Sequence, residues 1–478
     1  MRKSKLIFFS LTLLVSLLSC QNLTPTKEPT NTLVIPPTQA PPTATVNYPM
    51  EFGTSIGDPF TPELGNMGYD MQHYDIDIHI DPAQQEQLEA IVTGEAVSTQ
   101  DDLIGISLDF IGYNIHQTTV NGEVVEFTRE GDKLFLYFDS PMALDQPFTF
   151  SVEYDGPAAL RQSPYVPFAD SIGPFFPTER NMFIVSEPDG ARFWLPSNDH
   201  PRDKATFRFE VTVPDDFSAA ANGLLLSEEQ VGDEKLFIWQ HDYPMATYLA
   251  TIAVGPYERL EGATPDGIIL REYFFEENRA EAEEAMVITA EAIDYLSDML
   301  GPYPFEAHGH ATIDASGFAL ETQTMVMMAS HMMQENVIVH ELTHMWFGDW
   351  VSLDSWGEMW RNEGFATYFE WMWMAKDDLD AWEVEMDELT QSIAQNEDLE
   401  PLDALTPGNL FGYEAYVKGA VVVHNLRKEI GDEAFFTGLQ RYFKLYGGGV
   451  ASDEQFIEVM EEAAGHSLQG FFQTWLSE

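Results

Sequence analysis

Between Tyr74 and Ile80 apolar and polar side chains alternate: Tyr74, Ile76, Ile78 and Ile80 against Asp75, Asp77 and His79. A period of two marks a strand with one face buried and the other in water. The same alternation returns at residues 133–139 and 206–213, and turn-forming pairs such as Asn121-Gly122 and Pro214-Asp215 separate such runs. Residues 58–258 therefore predict a strand-rich domain. His73, His79 and His116 fall on or beside its strands and read as surface residues. After Pro256 the period changes. Residues 278–299 place Ala, Leu, Ile and Met three and four apart, the spacing of an amphipathic helix. A strand-like stretch follows at 309–315, and from Glu335 to the end the pattern is mainly helical. No repeat of fixed period is present.

The first residues follow neither pattern. Arg2, Lys3 and Lys5 precede an apolar run over 6–18, which is too short to span a bilayer comfortably and has the shape of a signal peptide. Leu17-Leu18-Ser19-Cys20 resembles a bacterial lipobox. Cys20 is the only cysteine of the chain and has no internal disulfide partner. Residues 1–20 are thus expected to be a lipoprotein signal peptide that leaves the exported protein lipid-anchored at Cys20 in a bacterial cell envelope. The plainer alternative is an ordinary signal peptide with an incidental cysteine. Residues 21–57, rich in Thr and Pro, cannot bury a core and are expected to form an extended tether. About 420 residues remain, enough for two domains, expected at 58–258 and 259–478.

Composition narrows the function. The formal net charge is −56, from 79 acidic and 23 basic residues. A general nucleic-acid binder needs a basic face, so that class is excluded. Attraction to anionic lipid is disfavoured as well. A negative field favours the approach of cationic groups, but salt screens it within about 8 Å.

Four side chains in the helical part have fixed offsets. His340 and His344 lie four apart with Glu341 between them, and Glu363 follows His344 nineteen positions later. The apolar flanks Val337, Ile338, Val339, Met345, Trp346 and Phe347 predict a buried helix over 336–347. On such a helix the two imidazoles share one face, one turn apart. They then grip a single divalent ion at about 2.0–2.1 Å each. Glu363 sits among Met359, Trp360, Ala366 and Phe369 on an inward stripe, and a buried carboxylate needs a partner. As a third ligand it leaves one position open to water, which is the arrangement of a catalytic zinc. Glu341 stands beside that water as its base. Glu370, seven residues after Glu363, shares its helical face and either orients a ligating imidazole or pairs elsewhere. Residues 325–333 are Met-rich and include His331, for which packing or a substrate pocket is a better account than copper. His308 and His310 alternate along a strand and form a weaker candidate for a second metal.

Residues 337–370, VIVHELTHMWFGDWVSLDSWGEMWRNEGFATYFE, resemble the zinc core of the aminopeptidase N family of gluzincin metallopeptidases. That family pairs HExxH with a glutamate in an Asn-Glu-Gly-Phe-Ala segment. GFALETQT at 317–324 is similar to the family's Gly-Ala-Met-Glu-Asn exopeptidase segment, with Thr322 in place of the asparagine. YVKG at 416–419 resembles its Tyr-Glu-Lys-Gly segment. SEPDGARFWLPSNDHPRDKATF at 186–207 resembles the N-terminal-domain segment that carries a second amine-binding glutamate.

The resemblance implies an α+β fold, an all-β saddle-like N-terminal domain followed by a thermolysin-like, mainly helical catalytic domain. It implies one zinc per chain on His340, His344 and Glu363, with Glu341 as base and Tyr416, rather than Tyr413, as hydrogen-bond donor to the oxyanion. Glu321 and Glu187 are expected to bind the free α-ammonium of a peptide, whose backbone pairs with Gly317 and Ala319. The implied activity is aminopeptidase. A zinc endopeptidase of the same fold and a non-catalytic surface-binding relative are the competing readings. The family usually continues into a large helical domain, so a chain ending at 478 is expected to have a more open cleft, unless a partner chain supplies the lid.

Overall fold

The computed structural model describes residues 54–477, apart from 85, 86, 159, 168 and 170. The signal segment and nearly all of the tether expected from the sequence lie outside the described residues.

Period-two patterning builds the first half. An eight-stranded sheet runs, in spatial order, Leu224–Val231, Glu234–Ala246, Lys204–Pro214, Tyr69–His79, Gln87–Ser98, Pro147–Pro157, Asn114–Val120 and Glu123–Val124. Tyr69–His79 and Lys204–Pro214 pair in parallel, and the other neighbours are antiparallel. Along Tyr69–His79 the inward side chains Tyr74, Ile76 and Ile78 are fully buried while Asp77 faces water, as the alternation predicts. A three-stranded sheet (Leu103–Asp109, Lys133–Met142, Phe127–Glu130) and a four-stranded sheet (Ser218–Ala221, Ile252–Gly255, Asn181–Val185, Gly173–Thr178) share its hydrophobic core. His73, His79 and His116 pair with Thr206, Glu234 and Asp155 on the half-open face.

The second half opens on a five-stranded sheet ordered Glu258–Ala263, Ile269–Phe274, Ala307–Ile313, Val326–Ala329, Ala319–Leu320. Its three middle strands are parallel, and the short Ala319–Leu320 lies antiparallel at the edge. Helix α1 (Arg279–Leu300) packs on this sheet. After it come α2 (Glu335–Thr343), α3 (Trp360–Met374), α4 (Leu379–Ala394), α5 (Gly419–Ile430), α6 (Asp432–Tyr446), α7 (Asp453–Ala464) and α8 (Gln469–Leu476). Their apolar faces form a second core. The architecture is therefore α+β, a sheet-rich N-terminal half followed by a mainly helical one.

One expected helix is shorter than its apolar pattern. α2 stops at Thr343, with His344 as its C-cap, rather than at 347. Trp346 and Phe347 N–H groups both return to the Thr343 carbonyl, at 3.1 and 3.3 Å. Gly348 then takes φ +112°, a left-handed value that suits glycine, and the chain reverses. The apolar residues 345–347 are buried all the same, which is why a helix and a buried turn look alike in sequence.

Two devices set α3 in place. Buried Arg361 in its first turn donates to the Tyr442 hydroxyl (2.8 Å) and the Ala451 carbonyl (2.6 Å) and lies 2.8 Å from Asp453. Farther along, Gly364 meets Gly419 at the start of α5. A Cβ built on Gly364 would lie 2.7 Å from the Gly419 carbonyl carbon. Nothing larger than hydrogen fits between those backbones. Replacing Gly364 by Ala should force the helices apart and cost about 1–3 kcal/mol, read from denaturant unfolding. An unchanged midpoint would show that the contact is slack.

Candidate metal centre

α2 presents His340 and Glu341 on its last turn, and His344 follows at the cap. α3 lies across α2 and presents Glu363 in its own first turn. The two imidazole rings stand 5.0 Å apart, steeply inclined. Nε2 of His340 is 3.2 Å from Glu363 Oε2, and Nε2 of His344 is 3.6 Å from the same oxygen. The opposite ring nitrogens are engaged behind. His340 Nδ1 faces Glu370 Oε2 at 3.2 Å, and His344 Nδ1 faces the Phe347 carbonyl at 3.2 Å. Asn336 in turn donates to Glu370 Oε1. An acceptor at Nδ1 fixes the proton there and leaves each Nε2 lone pair pointing inward. Glu370 thus lies behind the imidazole, one of the two positions the sequence left open.

The donor atoms of His340, His344 and Glu363 all lie within 4.8 Å of one another, and all three residues are buried. Two neutral imidazole nitrogens and one carboxylate oxygen, closed off behind and open in front, suit zinc with a free coordination position. His308 and His310 belong to no such set among the described residues. Their Nδ1 atoms contact the Tyr303 hydroxyl and the Glu272 carboxylate inside the sheet.

Three more glutamates close on the centre. Glu321, Glu341 and His344 form one set of atoms within 4.8 Å, and Glu187, Glu321 and Glu363 form another. Glu187 comes from the loop after strand Asn181–Val185, so both halves of the chain contribute. Glu187 Oε1 and Glu321 Oε1 are buried and have no hydrogen-bond partner. Burial, then the facing Glu321, pushes Glu187 well above the usual carboxylate range. Burial likewise pushes Glu341 up to about 7, although the two imidazoles pull against it. Glu363 is the exception: burial raises it, but His344 and His340 outweigh that and hold it near 2. A divalent cation among these groups would favour the ionised form of each carboxyl group.

Tyr416 lies in a π-helical turn, Glu414–Lys418, immediately before α5. Such turns break regular hydrogen bonding and often mark functional positions. Its ring stacks parallel to that of His340 with centroids 5.9 Å apart. Burial, then Glu363 and Glu187, keeps the phenol protonated. Burial, then the neighbouring Glu414, pushes the Tyr413 phenol up. The Gly364–Gly419 contact is what brings this turn against α3. Ala319 lies on the edge strand Ala319–Leu320, which ends one residue before Glu321, and Gly317 precedes that strand by two residues.

Sequence reasoning missed two members of this cluster. Both oxygens of fully buried Asp349 lack a partner, and the group faces Glu321, Lys204 and Glu341. Buried Tyr248 of the N-terminal half faces Glu321, Asp349 and Glu187. A charged residue inside the apolar run Met345–Val351 was the available signal for Asp349. None was available for Tyr248.

Known proteins share this fold. Residues 70–249 match the Peptidase M1 N-terminal domain, and residues 301–475 match the Peptidase family M1 domain. The M1 zinc metallopeptidase of Deinococcus radiodurans superposes with a TM-score of 0.82 at 30% identity, covering 89% of this chain and 97% of that one. The chain belongs to peptidase family M1. A form of the Deinococcus M1 enzyme bound to a Tyr-Ser-Ala substrate superposes at 0.80 with 29% identity over 88% of this chain and 97% of its own. Aminopeptidase N of Streptomyces lividans is 25% identical over 84% of this chain, and Aminopeptidase M1 of Arabidopsis thaliana 29% over 63%. The chain spans 50% and 37% of the lengths of those two relatives. The cofactor of this M1 fold is one catalytic zinc, and the histidine–histidine–glutamate set fits it.

Because Glu370 buttresses His340, Glu370→Ala should weaken zinc binding by about 10–100-fold, measured by competition with a chromogenic chelator. Unchanged affinity would mean that the carboxylate only fills space.

Proposed function

We propose that this chain is a zinc aminopeptidase that removes residues from the free N-terminus of peptides. The observation that carries this reading is the pair of unpartnered, buried carboxylate oxygens on Glu187 and Glu321 beside the metal donors. An acceptor buried without a donor is costly, and a substrate ammonium offers the missing donors with the right charge. An amine held there ends the binding site one residue before the scissile bond. An endopeptidase gains nothing from such a pair.

His340, His344 and Glu363 would hold the zinc. When bound, zinc supplies Lewis acidity that eases deprotonation of water near neutral pH and draws electron density from a carbonyl. Glu341 takes a proton from the water whose oxygen attacks the carbonyl carbon. It returns that proton to the peptide nitrogen as the carbon–nitrogen bond breaks, leaving an amino acid and a shortened peptide. Tyr416 donates its phenolic hydrogen to the carbonyl oxygen as negative charge grows there. Buried and protonated, it is suited to donate. Among the described residues the edge strand Ala319–Leu320 has no strand on its outer side and would take the peptide backbone as an added strand, with Ala319 on that edge and Gly317 just before it.

We also propose that the protein is exported and held at a bacterial envelope by a lipid on Cys20. The basic, apolar and lipobox order of residues 1–20 supports this, and the Thr/Pro-rich segment would hold the enzyme away from the membrane.

Zinc-restored protein should hydrolyse aminoacyl anilides and unblocked peptides but not N-acetylated ones. Equal cleavage of acetylated peptides would replace the aminopeptidase reading with the endopeptidase one. Glu341→Gln should retain its zinc and lose about 10²–10⁴-fold in turnover. Glu321→Ala should act chiefly on KM, raising it about tenfold or more for free amines. Wild-type turnover in Glu341→Gln would remove the glutamate from the chemistry.

A further inference from the structure

The edge segment 317–324 is held very differently at its two ends. At the glutamate end Thr324 adopts φ +66°, a costly conformation for a β-branched residue that persists only when its surroundings impose it. Those surroundings are dense and buried. Thr324 Oγ1 accepts from the Gly223 N–H at 2.9 Å, and its carbonyl accepts from Arg271 Nη2 at 3.1 Å. The neighbouring Gln323 carbonyl accepts from Asn222 Nδ2 at 2.8 Å, and its side-chain amide meets His241 Nε2 at 2.7 Å. Asn222, His241 and Thr324 are fully buried. The amine-binding end is therefore fixed by the body of both halves.

The other end lies nearer the surface, where Phe318 and Ala319 are only half-buried. The strand pairing comprises only Ala319 with Met328 and Leu320 with Met327. One more backbone bond follows, from the Ala329 N–H to the Phe318 carbonyl at 2.9 Å. Gly317 then turns with φ +67°, and its N–H donates to Nε2 of His331 at 2.9 Å. His331 is exposed, on the short 3₁₀ turn Ser330–Met332, and Gln334 braces that turn by donating to the His331 carbonyl at 2.8 Å. An imidazole nitrogen accepts only when it carries no proton, so the ring's hydrogen resides on Nδ1.

We propose that His331 is a positioning residue for peptide binding: by holding Gly317 it keeps the edge strand straight and ready to pair with the substrate backbone beyond the first residue. The inference rests on the aminopeptidase reading and deepens it. The contrast between the two ends separates the roles. A substrate that uses only the amine anchor should not depend on His331, whereas one that lies along the edge should. Removing the latch leaves a short, one-sided strand to be ordered at the moment of binding, and that ordering lowers affinity.

The test compares alanine p-nitroanilide, which reaches only the amine anchor and the metal centre, with trialanine, which also occupies the edge. In His331→Ala the ratio of the trialanine KM to the anilide KM should rise about three- to tenfold, the worth of one lost hydrogen bond. His331→Gln, whose amide oxygen reaches the same place as an acceptor, should restore the ratio. Calorimetry of trialanine on the zinc-loaded Glu341→Gln protein, with and without His331→Ala, reads the same weakening without turnover. An unchanged ratio, equal weakening of both substrates, no rescue by glutamine or no trialanine binding would each overturn the inference. Wild-type protein that binds trialanine but hydrolyses neither substrate would instead defeat the aminopeptidase reading, while the calorimetric comparison still decides the role of His331.

Discussion

Glu187, Glu321, Glu341 and Glu363 crowd into one dry space, and that crowding governs the site. Each carboxyl group is at least nine-tenths buried and each lies near another. Like charges in low dielectric repel strongly, and burial alone disfavours ionisation. Burial pushes Glu187 and Glu341 toward their neutral forms. Glu363 stays ionised because two imidazoles face it. In the proposed function a doubly charged cation would relieve the remaining repulsion, and a substrate ammonium would satisfy the oxygens that the cation does not reach. On that reading the same repulsion favours both a cationic cofactor and a cationic substrate end.

Such a cluster survives only if the scaffold around it is rigid. α2 and α3 supply the metal donors, and each is fixed from behind: the histidines by Glu370 and the Phe347 carbonyl, α3 by Arg361 and by the Gly364–Gly419 contact. That glycine pair also sets the distance between Glu363 and the π-helical turn carrying Tyr416. The N-terminal half is no mere attachment. It provides Glu187 and Tyr248, and it grips the turn next to Glu321 through Asn222, Gly223 and His241. Both halves contribute side chains to the cluster, so neither half would assemble it alone.

Much of this was legible in the sequence because local pattern and tertiary need agree. Period-two alternation around Tyr74–Ile80 and three–four spacing after Asn278 gave the order of sheet and helix. The offsets among His340, Glu341, His344 and Glu363 gave the metal donors, since four positions is one helical turn whatever the rest of the fold does. Other features were faint, as for the charge of Asp349 inside an apolar run, or silent. The end of α2 at Thr343 depends on the φ of Gly348, which apolar periodicity does not encode. Asp349 and Tyr248 join the cluster only through long-range packing. His331 sat in a Met-rich run that pointed to packing or a substrate pocket. Its contact with Gly317, fourteen positions earlier, exists because two short strands fold back on each other.

The central claim is that His340, His344 and Glu363 together hold one cation. Zinc K-edge absorption spectroscopy on protein loaded with a single equivalent tests it most directly. The account predicts a first shell of nitrogen and oxygen at about 2.0–2.2 Å, with multiple scattering from two imidazoles that falls to one in His344→Ala. A shell with a different imidazole count in the unaltered protein, or one indifferent to Glu363→Ala and His344→Ala, would contradict it.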